Sequence, residues 1–327
     1  MSRCEMKLAL LLVSLLLLFP SLFAQDVKVR QEAIQLLERA HAASTSPNLP
    51  NLERVDTFSV LDPSSPTQEG SFSRVVVQGT GRRDEFNFGD YHLVNVYTHG
   101  QLAVAGATKI PPSPLVDVLR LTPIYLVHFD AEDVIHEIVD REEGGRMLRC
   151  IEFDTIRGQM SDRNELCMDS SNGTLVSEKL RNELIENSDL FPFAGALIPG
   201  KITYSVGGVI RMEISQTMTE LEDATPNVLA APPNAQILRM CTTFRRAIGI
   251  SMPQPKQGTL DGNYDVVVRG MIGADGKVRE AVVQESERPD LNAEALSLAR
   301  EWVFTPAMCN GKPSITEASL TLHFQDR

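Results

Sequence analysis

Between residues 26 and 43 (DVKVRQEAIQLLERAHAA), Val29, Ala33, Leu36, Leu37, Ala40 and Ala43 recur at spacings of three and four. That period places one apolar stripe along an amphipathic helix. After a loop from Ser44 to Leu52 the period becomes two. Ser71 to Val77, Arg83 to Phe88, Tyr91 to Tyr97 and Gln101 to Val104 are short alternating runs divided by glycine turns, as in antiparallel strands. Pro111-Pro112-Ser113-Pro114 interrupts them, and Leu115 to Leu121 reads as one or two helical turns. Alternation resumes at Val134 to Val139, Arg146 to Asp154, Asn164 to Met168 and Leu175 to Lys179. In Lys201 to Val206, the residues Ile202, Tyr204 and Val206 form one face, and Gly207-Gly208 makes a two-residue turn into Val209 to Ser215. A leading helix followed by this many strands predicts one strongly curved antiparallel sheet, a half-barrel with covering helices that encloses a cavity.

From Gln216 to Gln236 the alternation gives way to Thr, acidic residues and prolines, which predicts a linker. A second domain is then expected to open with a helix over Ile237 to Ile248, followed by a loop to Asn263 and a strand from Tyr264 to Ile272. Asp275-Gly276 suits the positive φ angles of a tight hairpin. Leu291, Ala295, Leu298 and Trp302 share a helical face, with Asp290 and Asn292 as candidate caps. The chain then turns at Asn310-Gly311 into a strand in which Ala318, Leu320, Leu322 and Phe324 alternate with polar residues. The fold class is α+β, with domains at 25–215 and 237–327 joined by 216–236.

The 327 residues are 43% hydrophobic and 23% charged, which is globular composition. A net charge of −12 disfavours a nucleic-acid face or adhesion to anionic lipid. Arg3 and Lys7 precede the apolar run Leu8 to Phe19, and Ala24 precedes a polar stretch. This is the pattern of a secretory signal, residues 1–24, cleaved after Ala24. An uncleaved inner-membrane anchor through residues 8–24 is the competing reading, at the short end of a spanning helix and broken by Pro20.

Four clusters in the C-terminal part act together: Ala274-Asp275-Gly276-Lys277-Val278, Leu291-Asn292-Ala293-Glu294-Ala295-Leu296, Trp302-Val303-Phe304-Thr305-Pro306-Ala307 and Asn310-Gly311-Lys312-Pro313. Together they resemble the C-terminal domain of the TonB family, the periplasmic partner-binding module of Gram-negative energy transducers. The resemblance implies a small α+β domain whose last strand, Ser319, Leu320, Thr321, Leu322, His323 and Phe324, pairs with an extended peptide, in that family the N-terminal box of an outer-membrane receptor. The alternatives are a purely structural strand or one that pairs with a second copy in a homodimer. Two family features are missing: the anchor candidate has no His, and the linker could span at most roughly 70 Å. Force transduction is therefore not expected. Residues 26–215 are similar in architecture to the LolA-type half-barrels that carry lipoproteins or lipids. That likeness would place Phe86, Phe88, Leu93, Val96, Ile151 and Phe153 on an apolar ligand face, or, in the plainer reading, in an ordinary core.

Other chemistry is sparse. His128 and His136, with Asp130, Glu132 and Asp133 between them, fit no short metal-ligand motif and read as a solvated turn. No nucleophile lies beside a base in a recognisable motif, so neither an enzyme, a metal nor a cofactor is expected. Five cysteines are present, and export would remove Cys4 and leave four in an oxidising compartment. Four allow three pairings, and pairing within domains gives Cys150–Cys167 and Cys241–Cys309. The expected function is that of an exported, non-enzymatic periplasmic protein docking an envelope or outer-membrane protein by strand addition. A lipid or lipoprotein carrier and a structural envelope protein are the alternatives.

Overall fold

The computed structural model describes residues 27–63, 65–107, 109–122, 129–130, 132–157, 160–222, 226–255, 262, 264–286 and 288–324. The expected signal in residues 1–24 and His128 lie outside them. A leading helix, α1, occupies residues 27–44. It is followed by β1 (Leu52–Val60), β2 (Gln68–Val77), β3 (Gly81–Phe88), β4 (Tyr91–Thr98), β5 (Gln101–Gly106) and α2 (Ser113–Leu121). Next come β6 (Val134–Glu143), β7 (Arg146–Arg157), β8 (Met160–Asp169), β9 (Leu175–Leu180), β10 (Glu183–Ser188), β11 (Phe191–Phe193) and β12 (Ala196–Ile198). Strand β13 (Lys201–Val206) and the long β14 (Val209–Glu220) precede three short ones, β15 (Gln236–Arg239), β16 (Phe244–Arg245) and β17 (Ile248–Ser251). The chain ends with β18 (Tyr264–Ile272), β19 (Val278–Ser286), α3 (Asn292–Glu301), β20 (Val303–Thr305), β21 (Ala307–Cys309), β22 (Lys312–Ser314) and β23 (Thr316–Phe324).

These elements form two compact units, one of residues 1–79 and 117–225 and the other of residues 80–116 and 226–327. In the first unit nine strands of a larger curved sheet run antiparallel in the order β2-β1-β14-β13-β10-β9-β8-β7-β6. The stripe on α1 behaves as its spacing predicts. Ala33, Leu36, Leu37 and Ala40 are buried against Ile151 and Phe153 of β7 and Leu166 and Met168 of β8. Ile151 and Leu166 are direct register partners, so one side chain from each strand meets the helix at the same level. Farther along the sheet, the Asp56 carboxylate is fully buried, paired with Arg54 and hydrogen-bonded by Gln216 Nε2 at 3.1 Å. Its charge is matched inside the core, which a buried carboxylate requires.

The second unit contains the neighbouring strands β15-β5-β4-β3 and a separate three-stranded sheet, β19-β18-β23, with α3 packed on the latter. Val266, Val268, Leu322 and Phe324 from the sheet close over Ala295, Ala299 and Trp302 of the helix and its end. The β18–β19 turn needs glycine for two reasons. Gly276 has φ +78°, and a Cβ there would lie 1.9 Å from the Phe304 carbonyl oxygen. That closeness lets the Phe304 N–H donate to the Gly276 carbonyl at 2.8 Å, which ties the turn to β20.

Two regions differ from the sequence-based expectation. Residues 237–248, expected as a helix, hold β15, β16 and the start of β17, because each short strand finds a sheet partner: β5, β21 and β20 respectively. The second unit also takes in residues 80–116, a stretch read from the sequence as part of the first domain. Arg269 Nη1 donates to the Pro111 carbonyl at 3.3 Å, and the Ile110 N–H donates to Glu280 Oε2 at 3.2 Å. Within the stretch expected as a linker, β14 continues to Glu220 and a single 3-10 turn spans Pro226–Leu229.

Candidate functional site: the open edge of the last strand

Strand β23 pairs with β18 in register from Tyr264↔Phe324 to Ile272↔Thr316. It stands at the end of the three-stranded sheet, and among the described residues no strand pairs with its other side. Its row of N–H and C=O groups on that side is the kind of edge that accepts an added strand. The alternation within the strand fixes what such a strand would meet. Leu322 and Phe324 are buried beneath α3, while Ser319, Thr321 and His323 are exposed on the opposite face and Leu320 is half-buried.

The polar face is ordered by cross-strand contacts. His323 Nδ1 lies 2.7 Å from Asp265 Oδ1, and Ser319 Oγ donates to Gln284 Oε1 at 3.2 Å. At the start of the strand Glu317 pairs with Arg269 at 2.6 Å, and Arg269 is almost fully buried. The nearby Tyr91 phenol is pushed up to about 12, first by burial and then by the Glu317 charge, with Arg269 opposing. The strand is thus anchored on one side by its core and by an ion pair, and its other edge carries no strand partner among the described residues.

The six residues expected on an apolar ligand face do not share one face. Phe86 is the register partner of Leu93, so Phe86, Phe88 and Leu93 project to the same side of β3 and β4. Val96 pairs with Arg83 and projects to the opposite side. Residues 93 and 96 are separated by an odd number, which the two-residue period of a strand cannot place together. Ile151 and Phe153 belong to the other unit, where they are core beneath α1. Two depressions lie beside α1, one lined mainly by charged and polar groups such as Lys28, Glu32, Arg39 and Arg149, the other by a mixture of Leu36, Met147 and Met168 with Asp140, Asp169 and Asn172.

Both expected disulfides are present, Cys150–Cys167 between β7 and β8 and Cys241–Cys309 in the second unit. The sulfurs of Cys150 and Cys167 lie close to a Glu165 carboxylate, but being bonded to each other they offer no thiolate to a metal. His136 Nε2 lies 3.0 Å from Asp154 Oδ2, an ion-pair geometry with a strand neighbour. Sequence reasoning missed a polar cluster in the first unit. Arg120 bonds Glu183 at 2.8 Å and stacks 5.1 Å from the Tyr204 ring centre, and burial raises the Glu178 carboxyl. Its members are 63 and 84 residues apart in sequence, so no local motif could have announced it.

Residues 260–325 match the family model described as the Gram-negative bacterial TonB protein C-terminal. The match coincides with the four motif clusters and with the unit that carries β23. Among solved structures the chain is similar to a LolA superfamily protein from Nitrosomonas europaea, at 10% identity, covering 61% of this chain and 97% of that one, with a TM-score of 0.38. It is also similar to a putative outer membrane lipoprotein-sorting protein domain from Vibrio parahaemolyticus, at 9% identity, covering 63% and 96%, with a TM-score of 0.36. A chain in the complex structure of Pseudomonas aeruginosa MucA/MucB is similar at 14% identity, covering 86% of this chain and 99% of that one, with a TM-score of 0.30. No curated protein matches the chain. Among the described residues no helix is long and apolar enough to cross a membrane.

Proposed function

We propose that this is a non-enzymatic protein of the Gram-negative periplasm, exported through a cleaved signal in residues 1–24, whose TonB-like module docks an envelope or outer-membrane protein by strand addition to β23. The observation that carries the reading is the open edge of β23, a strand held on its other side by β18 and by the Glu317–Arg269 ion pair. Strand addition draws affinity from main-chain hydrogen bonds and specificity from alternate side chains. Here those side chains would be read against Ser319, Thr321 and His323 on the exposed face. The match to the TonB C-terminal model supports the same partner class. The carrier alternative draws less support, because the residues proposed to line its apolar face divide between opposite sheet faces and separate units.

The test is titration of isotope-labelled mature chain, residues 25–327, with synthetic peptides from the N-terminal boxes of outer-membrane receptors. The whole chain is needed because residues 80–116 belong to the same unit as the module. Saturable chemical-shift changes along Ser319 to Phe324 are expected. Their absence with every peptide would sink the reading.

A further inference from the structure

Residues 236–252 (QILRMCTTFRRAIGISM) present their apolar side chains to solvent. Ile237, Met240, Phe244, Ile248, Ile250 and Met252 are between 43% and 66% exposed. The same 17 positions contain Arg239, Arg245 and Arg246 and no acidic residue, in a chain whose net charge is −12. All three arginines are exposed.

This exposure belongs to a held conformation. The segment is bonded covalently through Cys241–Cys309. Asn310 Oδ1 accepts the N–H groups of Thr242 at 3.0 Å and Thr243 at 3.1 Å, while the Asn310 N–H donates to the Thr243 carbonyl at 2.8 Å. The Met240 N–H donates to the Gly100 carbonyl at 2.9 Å, and Trp302 Nε1 fixes the far end through the Pro253 carbonyl at 3.0 Å. Strands β15, β16 and β17 each pair on one side only, and among the described residues nothing pairs with their outer sides. A rigid, extended, basic and apolar backbone with open hydrogen-bonding edges is the result. Little ordering entropy remains to be lost when something binds it.

Three occupants can be compared. An acyl layer would leave the open N–H and C=O groups unsatisfied, and the acidic remainder of the protein is repelled by anionic lipid. A second copy docked by two-fold symmetry would set the same arginine-bearing surface against itself. An extended polypeptide satisfies the open edges, covers the apolar side chains and, if acidic, pairs with the arginines. We infer that residues 236–252 form a second docking surface, separate from the edge of β23, for an extended segment of a partner protein that alternates acidic and apolar residues. The inference does not depend on the reading of β23.

The probe is a fluorescein-labelled twelve-residue peptide alternating Glu with Val and Phe, titrated by anisotropy against the mature chain at low salt, with the Lys-for-Glu peptide alongside. Binding of the Glu peptide is expected, and loss of about tenfold or more in affinity in Arg245→Glu/Arg246→Glu and in Ile248→Ser/Ile250→Ser. These side chains are exposed, so both variants should fold, and unchanged circular dichroism checks that they do. Chemical-shift changes should map to residues 236–252. Equal affinity for the Lys peptide would overturn the inference. So would shifts confined to residues 316–324, which would instead favour β23, or unchanged affinity in both variants. Binding of phosphatidylglycerol vesicles without binding of the Glu peptide would also overturn it, as would a dimer abolished by Ile248→Ser/Ile250→Ser with no peptide affinity.

Discussion

Two neighbouring stretches of one unit treat their apolar residues in opposite ways. In residues 264–324 the apolar positions of β18, α3 and β23 point inward, and Val266, Val268, Ala295 and Leu322 are fully buried. In residues 236–252 a comparable density of apolar residues points outward, and order comes from a disulfide, one asparagine and short strand pairs. The contrast shows that order does not require a core. A segment can be fixed by cross-links and edges while its side chains remain available, whereas the packed module has only its rim to offer.

The contrast can be tested in descending order of effect. Trp302→Ala removes a ring that is 2% exposed, and should cost about 3–5 kcal/mol in urea unfolding followed by circular dichroism. A loss below about 1 kcal/mol would mean the module is not held by its core. Replacing Cys241 and Cys309 by Ser opens a link across 68 residues, for about 4 kcal/mol by loop entropy, against about 3 kcal/mol for the 17-residue link Cys150–Cys167. Hydrogen exchange should accelerate across 240–252 while 264–324 keeps its protection; uniform acceleration would erase the distinction. Asn310→Ala should cost about 1–2 kcal/mol through the hydrogen bonds its amide organises.

A smaller effect is set by pH. Folding holds the Tyr91 proton up to about 12, above its ordinary value of 10.0, so the unfolded chain releases that proton first. Stability should therefore fall as pH rises from 10 to about 12, and Tyr91→Phe should flatten that limb of the unfolding curve. Smallest of all, Ile250→Ser should change stability by no more than about 0.5 kcal/mol, because its side chain is already 66% exposed. A large loss there would place Ile250 in a core and end the comparison.

Local pattern made much of this legible. The stripe on α1, the Asp275-Gly276 hairpin and the strand and helix order of the C-terminal module follow from spacing, turn chemistry or the resemblance to the TonB module, and the two cysteine pairs from pairing within the expected domains. Residues 237–248 misled because Ile237, Met240, Phe244 and Ile248 fall at spacings of three and four, a helical signature. The strands that form instead depend on partners at Leu102, Met308 and Thr305, which a window of neighbouring residues does not contain. The hold of Arg269 on Pro111 is likewise a contact across 158 positions and leaves no periodic trace. For the apolar face, alternation marked which residues turn inward on each strand but not which side of the sheet they share, and Val96 fell on the wrong one.

The arrangement of residues 236–252 also imposes a timetable on the newborn chain. Ile248 waits 57 residues for Thr305, and Cys241 waits 68 for Cys309. At a synthesis rate of 5–20 residues per second, that interval lasts roughly 3–14 s. Throughout it the apolar stretch has been made but its partners have not, and the covalent clamp waits longer still, until both cysteines meet an oxidising environment. A shortened product ending before Ala307 would never acquire the clamp, and would expose a loose, sticky, positively charged thread where the finished protein holds a rigid one.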